Sequence, residues 1–90
     1  MGSYEIQWKK SAISDLYKID KRFFNRIIKA VETLATSPST QKSKKLHGAK
    51  HIYRLRVGNY RIVYEVNIAA KIITVYHVRH RKDIYRRKTH

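Results

Sequence analysis

Two alternating segments, joined by Gly58-Asn59, constrain the fold of this 90-residue chain more than any other feature. Apolar and polar side chains alternate along Ile52–Val57 and again along Tyr60–Val66. A period of two residues is typical of a strand with one buried face, and a two-residue connection in which positive φ costs little is typical of a hairpin. The sequence therefore predicts two antiparallel strands with one apolar face and one polar face.

Apolar residues at helical spacing predict two helices before this hairpin. Ser11 is expected to cap a first helix that runs to about Ile19, and Asp20 to cap the second, since both side chains can accept a hydrogen bond from the first helical turn. Ser37-Pro38 is expected to end the second helix, because proline cannot continue it. The residues expected to face the core are Ala12, Leu16 and Ile19 in the first helix and Phe24, Ile27, Ile28, Val31 and Leu34 in the second.

The remaining segments complete an α+β pattern. Tyr4–Trp8 alternates like a half-buried strand, Thr40–Lys50 is polar and basic like a loop, and Lys71–Arg79 is apolar on both faces like a central strand. We therefore expect an N-terminal strand, an antiparallel helical hairpin and a three-stranded antiparallel meander, forming one mostly antiparallel sheet. Residues 1–90 leave room for a single domain, with the helices on one face of the sheet and the other face open.

Charge is the most unusual part of the composition. The chain has 21 Lys and Arg residues against 6 Asp and Glu residues, a formal net charge of +15. Such a surface is typical of proteins that bind nucleic acid or an acidic protein, although a soluble basic protein without such a partner is the alternative. The sequence has no Cys, no apolar run long enough to span a membrane and no visible signal peptide, so we expect a cytoplasmic protein without disulfides.

Three arginines of the predicted hairpin could form a phosphate-binding site. Arg54 and Arg56 lie two residues apart on one strand and so project from the same face, and Arg61 lies near the start of the paired strand. Each guanidinium group is permanently charged and can bind two phosphate oxygens at once. The alternative is that all three are ordinary solvated strand residues.

The basic end of the chain contains groups that could transfer a proton. Neighbouring arginines, among them Arg81, would favour the phenolate form of Tyr85 that a general base requires, although this ring could instead anchor the end of the chain to the core. His80 could donate a proton near the arginines. No pattern of metal ligands is evident, since His77 and His80 are expected on opposite faces of a strand, and we expect neither a metal nor a cofactor.

Three segments resemble motifs of the RelE/ParE family of toxin–antitoxin systems. They are Tyr53–Val66, with the sequence YRLRVGNYRIVYEV, Lys45–Gly48, which looks like the family's K-L-x-G loop, and Val78–Tyr85, which is similar to its closing V-x-H-R-x-x-x-Y. The likeness covers nearly the whole chain. RelE-type toxins are the better match within the family, because Arg81 and Tyr85 supply groups that ParE-type members generally lack.

For a RelE-type toxin the resemblance implies a metal-independent endoribonuclease that docks in the decoding site of the ribosome and cuts messenger RNA. The reaction is attack of a ribose 2′-hydroxyl on the adjacent phosphate. The candidate catalytic residues are then Arg61, Arg81, Tyr85 and His80, and the candidate RNA-binding residues are Arg54, Arg56 and Lys45. RelE-type toxins often have Lys at the positions of Arg54 and Arg56. This difference removes two amines that could transfer protons, because a guanidinium group stays charged.

The resemblance also implies a protein partner. Toxins of this family are neutralised by an antitoxin, here expected to be acidic and partly disordered, which becomes ordered as it wraps the basic domain. Two other functions stay open. A ParE-type toxin with the same fold inhibits DNA gyrase and cuts no RNA, and a non-catalytic module could bind RNA or the ribosome through charge alone.

Overall fold

The computed structural model describes residues 3–38, 43–45 and 51–80. Within these residues the chain forms two helices and five strands, in the order β1 (Glu5–Trp8), α1 (Lys10–Leu16), α2 (Lys21–Leu34), β2 (Ser43–Lys45), β3 (Ile52–Val57), β4 (Tyr60–Asn67) and β5 (Ile72–His80). The predicted α+β class is confirmed. Neither helix in this part of the chain is long and apolar enough to cross a membrane.

The five described strands form one sheet in the order β1-β5-β4-β3-β2. β1 runs parallel to β5, whereas the other neighbouring pairs are antiparallel, so the sheet is mostly antiparallel as predicted. The hairpin of β3 and β4 turns at Gly58, whose φ of +57° lies in the left-handed region that glycine adopts without strain. β5 lies between β1 and β4, in agreement with its prediction as a central strand.

The prediction of a loop over Thr40–Lys50 is wrong at Ser43–Lys45. These residues form a short edge strand that pairs antiparallel with β3. Strand pairing requires main-chain hydrogen bonds rather than apolar side chains, so a short polar strand at a sheet edge gives no periodic signal in the sequence. The other residues of the predicted loop, 40–42 and 46–50, lie outside the described part of the chain.

The core lies between the two helices and one face of the sheet. Its buried residues are Ala12, Ile27, Val31 and Leu34 from the helices and Leu55, Val57, Tyr60, Ile62, Tyr64, Val66, Ile73, Val75 and Val78 from the sheet. The predicted alternation along β3 and β4 is therefore confirmed. Tyr64 is fully buried, and its hydroxyl donates a hydrogen bond to the main-chain oxygen of Pro38, 2.7 Å away. This bond ties the segment after α2 to the sheet.

Two predicted details of the helices are wrong. Ser11 does not cap α1, because Lys9 occupies the N-cap position and makes no side-chain capping bond. Phe24 is 40% exposed, whereas its neighbour Phe23 packs against the core. Adjacent residues lie about 100° apart around a helix, so either phenylalanine could continue the apolar stripe in the sequence pattern.

Asp20 caps α2 as predicted. Its carboxylate accepts a hydrogen bond from the main-chain nitrogen of Arg22, 2.9 Å away, and forms an ion pair with the Arg22 guanidinium group at 2.8 Å. The side-chain bond and, after it, the main-chain bond lower the pKa of Asp20 from 3.8 to about 2. Both helices end earlier than predicted, α1 at Leu16 and α2 at Leu34.

α1 covers the edge of β5 that β1 leaves free. Main-chain pairing between β1 and β5 extends as far as Trp8. Beyond that point the Ser11 hydroxyl donates to the main-chain oxygen of Tyr76, 2.7 Å away, and the Asp15 carboxylate accepts from the main-chain nitrogen of Val78, 3.0 Å away. Side chains of the helix thus replace strand pairing along this edge, and they bring Asp15 to the end of β5.

Candidate nucleic-acid interface

The sheet face opposite the helices, called the open face below, carries polar side chains of the three longest strands. Burial alternates along β4, where every second residue is buried under the helices and the others are half-buried or exposed on the opposite side. The open face comprises Arg54 and Arg56 of β3, Arg61, Val63 and Glu65 of β4, and Tyr76, His77 and Arg79 of β5.

A β-bulge determines which side chains of β5 reach the open face. Val63 of β4 pairs with His77, whereas the next residue of β4 pairs with Val75. Tyr76 is therefore an extra residue, and the positions of β5 that face the helices change from odd-numbered to even-numbered. As a result His77 and Arg79 lie on the open face.

Three arginines on adjacent strands lie opposite one another on the open face. Arg61 pairs with Arg56 on one side and with Arg79 on the other, and the three are called the arginine row below. Side chains paired in this way have Cβ atoms about 5 Å apart, so their like charges repel and a bound anion would relieve the repulsion. Within the described residues, the guanidinium groups of Arg56 and Arg61 form no hydrogen bond or ion pair.

Arg54 and His77 form the next row of the open face, on either side of Val63. The Arg54 side chain is half-buried, and its guanidinium group has no charged partner in the described ranges. The Glu65 carboxylate accepts a hydrogen bond from the Tyr76 hydroxyl at 2.6 Å, and this bond raises the pKa of Tyr76. With four arginines against one carboxylate among the residues that define it, the open face favours a polyanion.

Asp15 of α1 holds Arg79 at one end of the arginine row. The Asp15 side chain is 13% exposed, and its carboxylate lies 3.3 Å from Nε of Arg79 and 3.5 Å from Nδ1 of His77. Nη2 of Arg79 lies 3.1 Å from the same His77 nitrogen. Asp15 therefore orients Arg79 through a partly buried ion pair. No three His, Asp or Glu side chains of the described residues are grouped closely enough to hold a metal ion.

Three residues predicted to contact RNA or its phosphates come together on the open face, namely Arg54, Arg56 and Arg61. Lys45 does not join them. It is exposed and pairs with Tyr53, which packs against the core, so Lys45 lies at the sheet edge on the helix side.

His80 also lies on the helix side of the sheet. Its ring meets the ring of Tyr60 edge-on, with 5.0 Å between centroids, and it lines a cleft of about 420 Å³ beside the turn between the helices. The prediction that His77 and His80 lie on opposite faces is confirmed. Arg81 and Tyr85, predicted to be catalytic from the closing motif, lie outside the described residues.

No sequence pattern indicated Asp15 or Arg79 as site residues, and His77 stood out only as a candidate metal ligand. Arg79 and His77 share the spacing of Arg54 and Arg56, two residues apart on a strand, which is a signal for a common face. The long apolar run before them gave no indication of which face that was. No local sequence pattern indicates the role of Asp15, because its hydrogen-bond partners lie more than 60 residues away in the sequence.

The chain matches proteins of one kind along most of its length. A family model described as "ParE toxin of type II toxin-antitoxin system, parDE" matches residues 6–85. Toxin RelE3 of Methanocaldococcus jannaschii is 35% identical over 85 residues, which cover 90% of this chain and 94% of that protein.

Solved structures agree with this match. The archaeal RelE–RelB complex from Pyrococcus horikoshii contains a chain with a TM-score of 0.78 and 26% identity, covering 88% of this chain and 96% of that one. The RelB–RelE antitoxin–toxin complex from Methanococcus jannaschii gives a TM-score of 0.74 and 35% identity, with coverages of 88% and 94%. The fold, the basic open face and these matches define a toxin of a type II toxin–antitoxin system. The chain belongs to the RelE/ParE family of such toxins.

Proposed function

We propose that this toxin is an endoribonuclease that cleaves messenger RNA on the ribosome, without a metal ion, by attack of a ribose 2′-hydroxyl on the adjacent phosphate. The arginine row carries the proposal, because it places three arginines opposite one another on adjacent strands of the open face. The 35% identity to a protein named Toxin RelE3 supports an activity of the RelE type.

The positive charge of the arginine row complements the negative charge that develops on the phosphate in this reaction. Attack on the phosphodiester produces a crowded phosphorane with more negative charge than the ground state, and fixed cations stabilise it without much reorganisation. Arg61, at the centre of the row, is proposed to bind the phosphate that is cleaved. Arg56 and Arg79 bind oxygens on either side, and Arg54 binds RNA next to the row.

Proton transfer requires other groups, because a guanidinium group stays charged throughout the neutral pH range. Following the family resemblance, Tyr85 is proposed to take the proton of the 2′-hydroxyl, with Arg81 supporting the phosphate. Lys45 is proposed to bind RNA at the sheet edge. His80 faces the helices and is left out of this assignment.

An acidic antitoxin is the proposed protein partner. The solved relatives from P. horikoshii and M. jannaschii are complexes of RelE with RelB. A net charge of +15 favours association with an acidic chain that covers the basic surface. The ribosome as target makes the cytoplasm the proposed location.

A DNA gyrase inhibitor is the second candidate, favoured by the ParE name of the matching family model. Cleavage of messenger RNA on programmed ribosomes, measured beside DNA supercoiling by gyrase, separates the two. We expect cleavage with unaffected supercoiling. Inhibited supercoiling without cleavage would establish the ParE-type function instead, and binding to ribosomes with neither effect would leave a non-catalytic module.

A further inference from the structure

His77 lies on the open face, and the proposed function gives it no role in binding or cleaving RNA. Its side chain is 38% exposed, and it follows directly on the bulge that turns it away from the helices. Asp15 and Arg79 both approach the same ring nitrogen, Nδ1. In the described part of the chain the other ring nitrogen, Nε2, makes no hydrogen bond. The ring is thus held by one nitrogen, with the other available on the face that carries the arginine row.

The two neighbours of Nδ1 select different protonation states. Arg79 can only donate a hydrogen bond, so its contact at 3.1 Å requires an Nδ1 without a proton. Asp15 can only accept when ionised, so its carboxylate at 3.5 Å favours an Nδ1 that carries a proton. If the Arg79 guanidinium turns its Nη2 to a phosphate oxygen, Nδ1 becomes free to take up a proton and donate to Asp15. Binding of a phosphate by Arg79 would therefore leave Asp15 as the partner of Nδ1.

We propose that His77 is the general acid of the cleavage reaction, a role that rests on the proposed ribonuclease function. The 2′-oxygen forms a bond to phosphorus, the bond from phosphorus to the 5′-oxygen breaks, and Nε2 of the charged ring donates its proton to that 5′-oxygen. The 2′-hydroxyl proton passes to the base, assigned above to Tyr85. Solvent then exchanges protons with both groups, so no proton is consumed. The products are a 2′,3′-cyclic phosphate and a 5′-hydroxyl.

Among the residues that define the open face, His77 is the one suited to donate this proton. The guanidinium groups of all four arginines of the open face remain charged and are poor acids. The Tyr76 hydroxyl already donates to Glu65, and its raised pKa makes it a weaker acid.

A substrate with an altered leaving group tests the role directly. A sulfur atom in place of the 5′-oxygen at the cleaved bond leaves readily as a thiolate and needs no proton. We would measure single-turnover cleavage of both messengers on programmed ribosomes for the unmodified toxin, His77→Ala and His77→Gln. His51→Ala is the matched control, because His51 is an exposed histidine immediately before β3, away from the arginine row. Thermal unfolding of each variant reports whether it is folded.

With the oxygen substrate, His77→Ala and His77→Gln should be slower by about 10²–10⁴-fold, as is typical for loss of a proton-transfer group. With the sulfur substrate both should match the unmodified toxin, and His51→Ala should match it with both substrates. Full activity of a folded His77 variant on the oxygen substrate would overturn the assignment. So would an equal loss on both substrates, which would make His77 a positioning residue. Absence of cleavage by the unmodified toxin would instead overturn the proposed function itself.

Discussion

The Asp15 carboxylate illustrates how a single residue of the helical hairpin affects the opposite face of the sheet. It accepts hydrogen bonds from the main-chain nitrogen of Val78 at 3.0 Å and from Nε of Arg79 at 3.3 Å. Through the first bond it closes the edge of β5, and through the second it orients one end of the arginine row. The fold and the candidate site therefore depend on the same side chain.

Replacing Asp15 should destabilise the protein measurably. Asp15→Ala leaves the Val78 nitrogen without its acceptor and Arg79 without its ion pair, and the loss of hydrogen bonds to a charged group should lower the free energy of unfolding by about 1.5–3 kcal/mol. Asp15→Asn keeps an acceptor and should lose less. Urea denaturation measures both. Glu32→Ala, an exposed substitution on α2, is the control and should change stability by less than about 0.5 kcal/mol. Equal effects of Asp15→Ala and Glu32→Ala would contradict the role of Asp15.

At the scale of single residues, the sequence predicted the half of the site that lies on the hairpin. Arg54, Arg56 and Arg61 flank a two-residue turn, so alternation and register alone bring them to one face. His77 and Arg79 could not be placed in the same way. Their face depends on the bulge at Tyr76, and a bulge leaves no mark in a run that is apolar on both sides.

Among the elements, the turn between β4 and β5 is a point of backbone strain. Lys71 has a φ of +56°, a left-handed conformation that an L-residue other than glycine adopts at a cost. Its main-chain oxygen accepts a hydrogen bond from the nitrogen of Glu5 at 2.9 Å, so this turn also anchors the start of β1.

Lys71→Gly should stabilise the protein, since glycine relieves the strained φ by more than it loses in chain entropy. We expect a gain of about 0.5–1 kcal/mol in the free energy of unfolding. The neighbouring change Ala70→Gly is the matched control. Its φ is not positive, so it should lose about 0.5–1 kcal/mol. Chemical denaturation of the two variants gives the comparison, and a loss of stability in Lys71→Gly as large as in Ala70→Gly would show that the turn is not strained.

The cap of α2 gives the protein a defined acid sensitivity. Folding lowers the pKa of Asp20 from 3.8 to about 2, so the charged carboxylate stabilises the fold at pH values above 3.8. That contribution is lost progressively as the pH falls from about 4 to about 2. The difference in urea midpoint between the unmodified protein and Asp20→Ala should therefore be constant near neutrality and shrink over this range. A difference that is independent of pH would mean that the carboxylate charge does not contribute.

Helices and strands were predicted correctly where burial of one face gives the sequence a regular spacing of apolar residues. The buried stripe of α2 and the alternation along β3 and β4 are cases of this kind. β2 was missed because main-chain bonds to β3 hold it, and the Ser11 cap was wrong because the Ser11 hydroxyl bonds to a distant strand. In both cases the deciding partner is remote in the sequence, so no local pattern could reveal it.

For the molecule as a whole, the net charge of +15 should control how fast the proposed antitoxin binds. Long-range attraction steers an acidic partner toward a basic surface, and salt screens it over a Debye length of about 10 Å at 0.1 M. Stopped-flow measurements with the proposed acidic antitoxin should show an association rate that falls as salt rises, with a smaller change in the dissociation rate. An association rate that does not respond to salt would contradict partner recognition through charge.

The arginine row is proposed to perform chemistry on messenger RNA, and single-turnover cleavage on programmed ribosomes measures that chemistry. Arg61→Ala removes the middle of the row and should slow cleavage by about 10²–10³-fold, because a fixed cation is lost from the developing charge. Ribosome binding should change little. Arg26→Ala removes the same charge from the exposed surface of α2 and should cleave at the unmodified rate. If Arg61→Ala cleaves as fast as Arg26→Ala, the arginine row is not the site of the reaction.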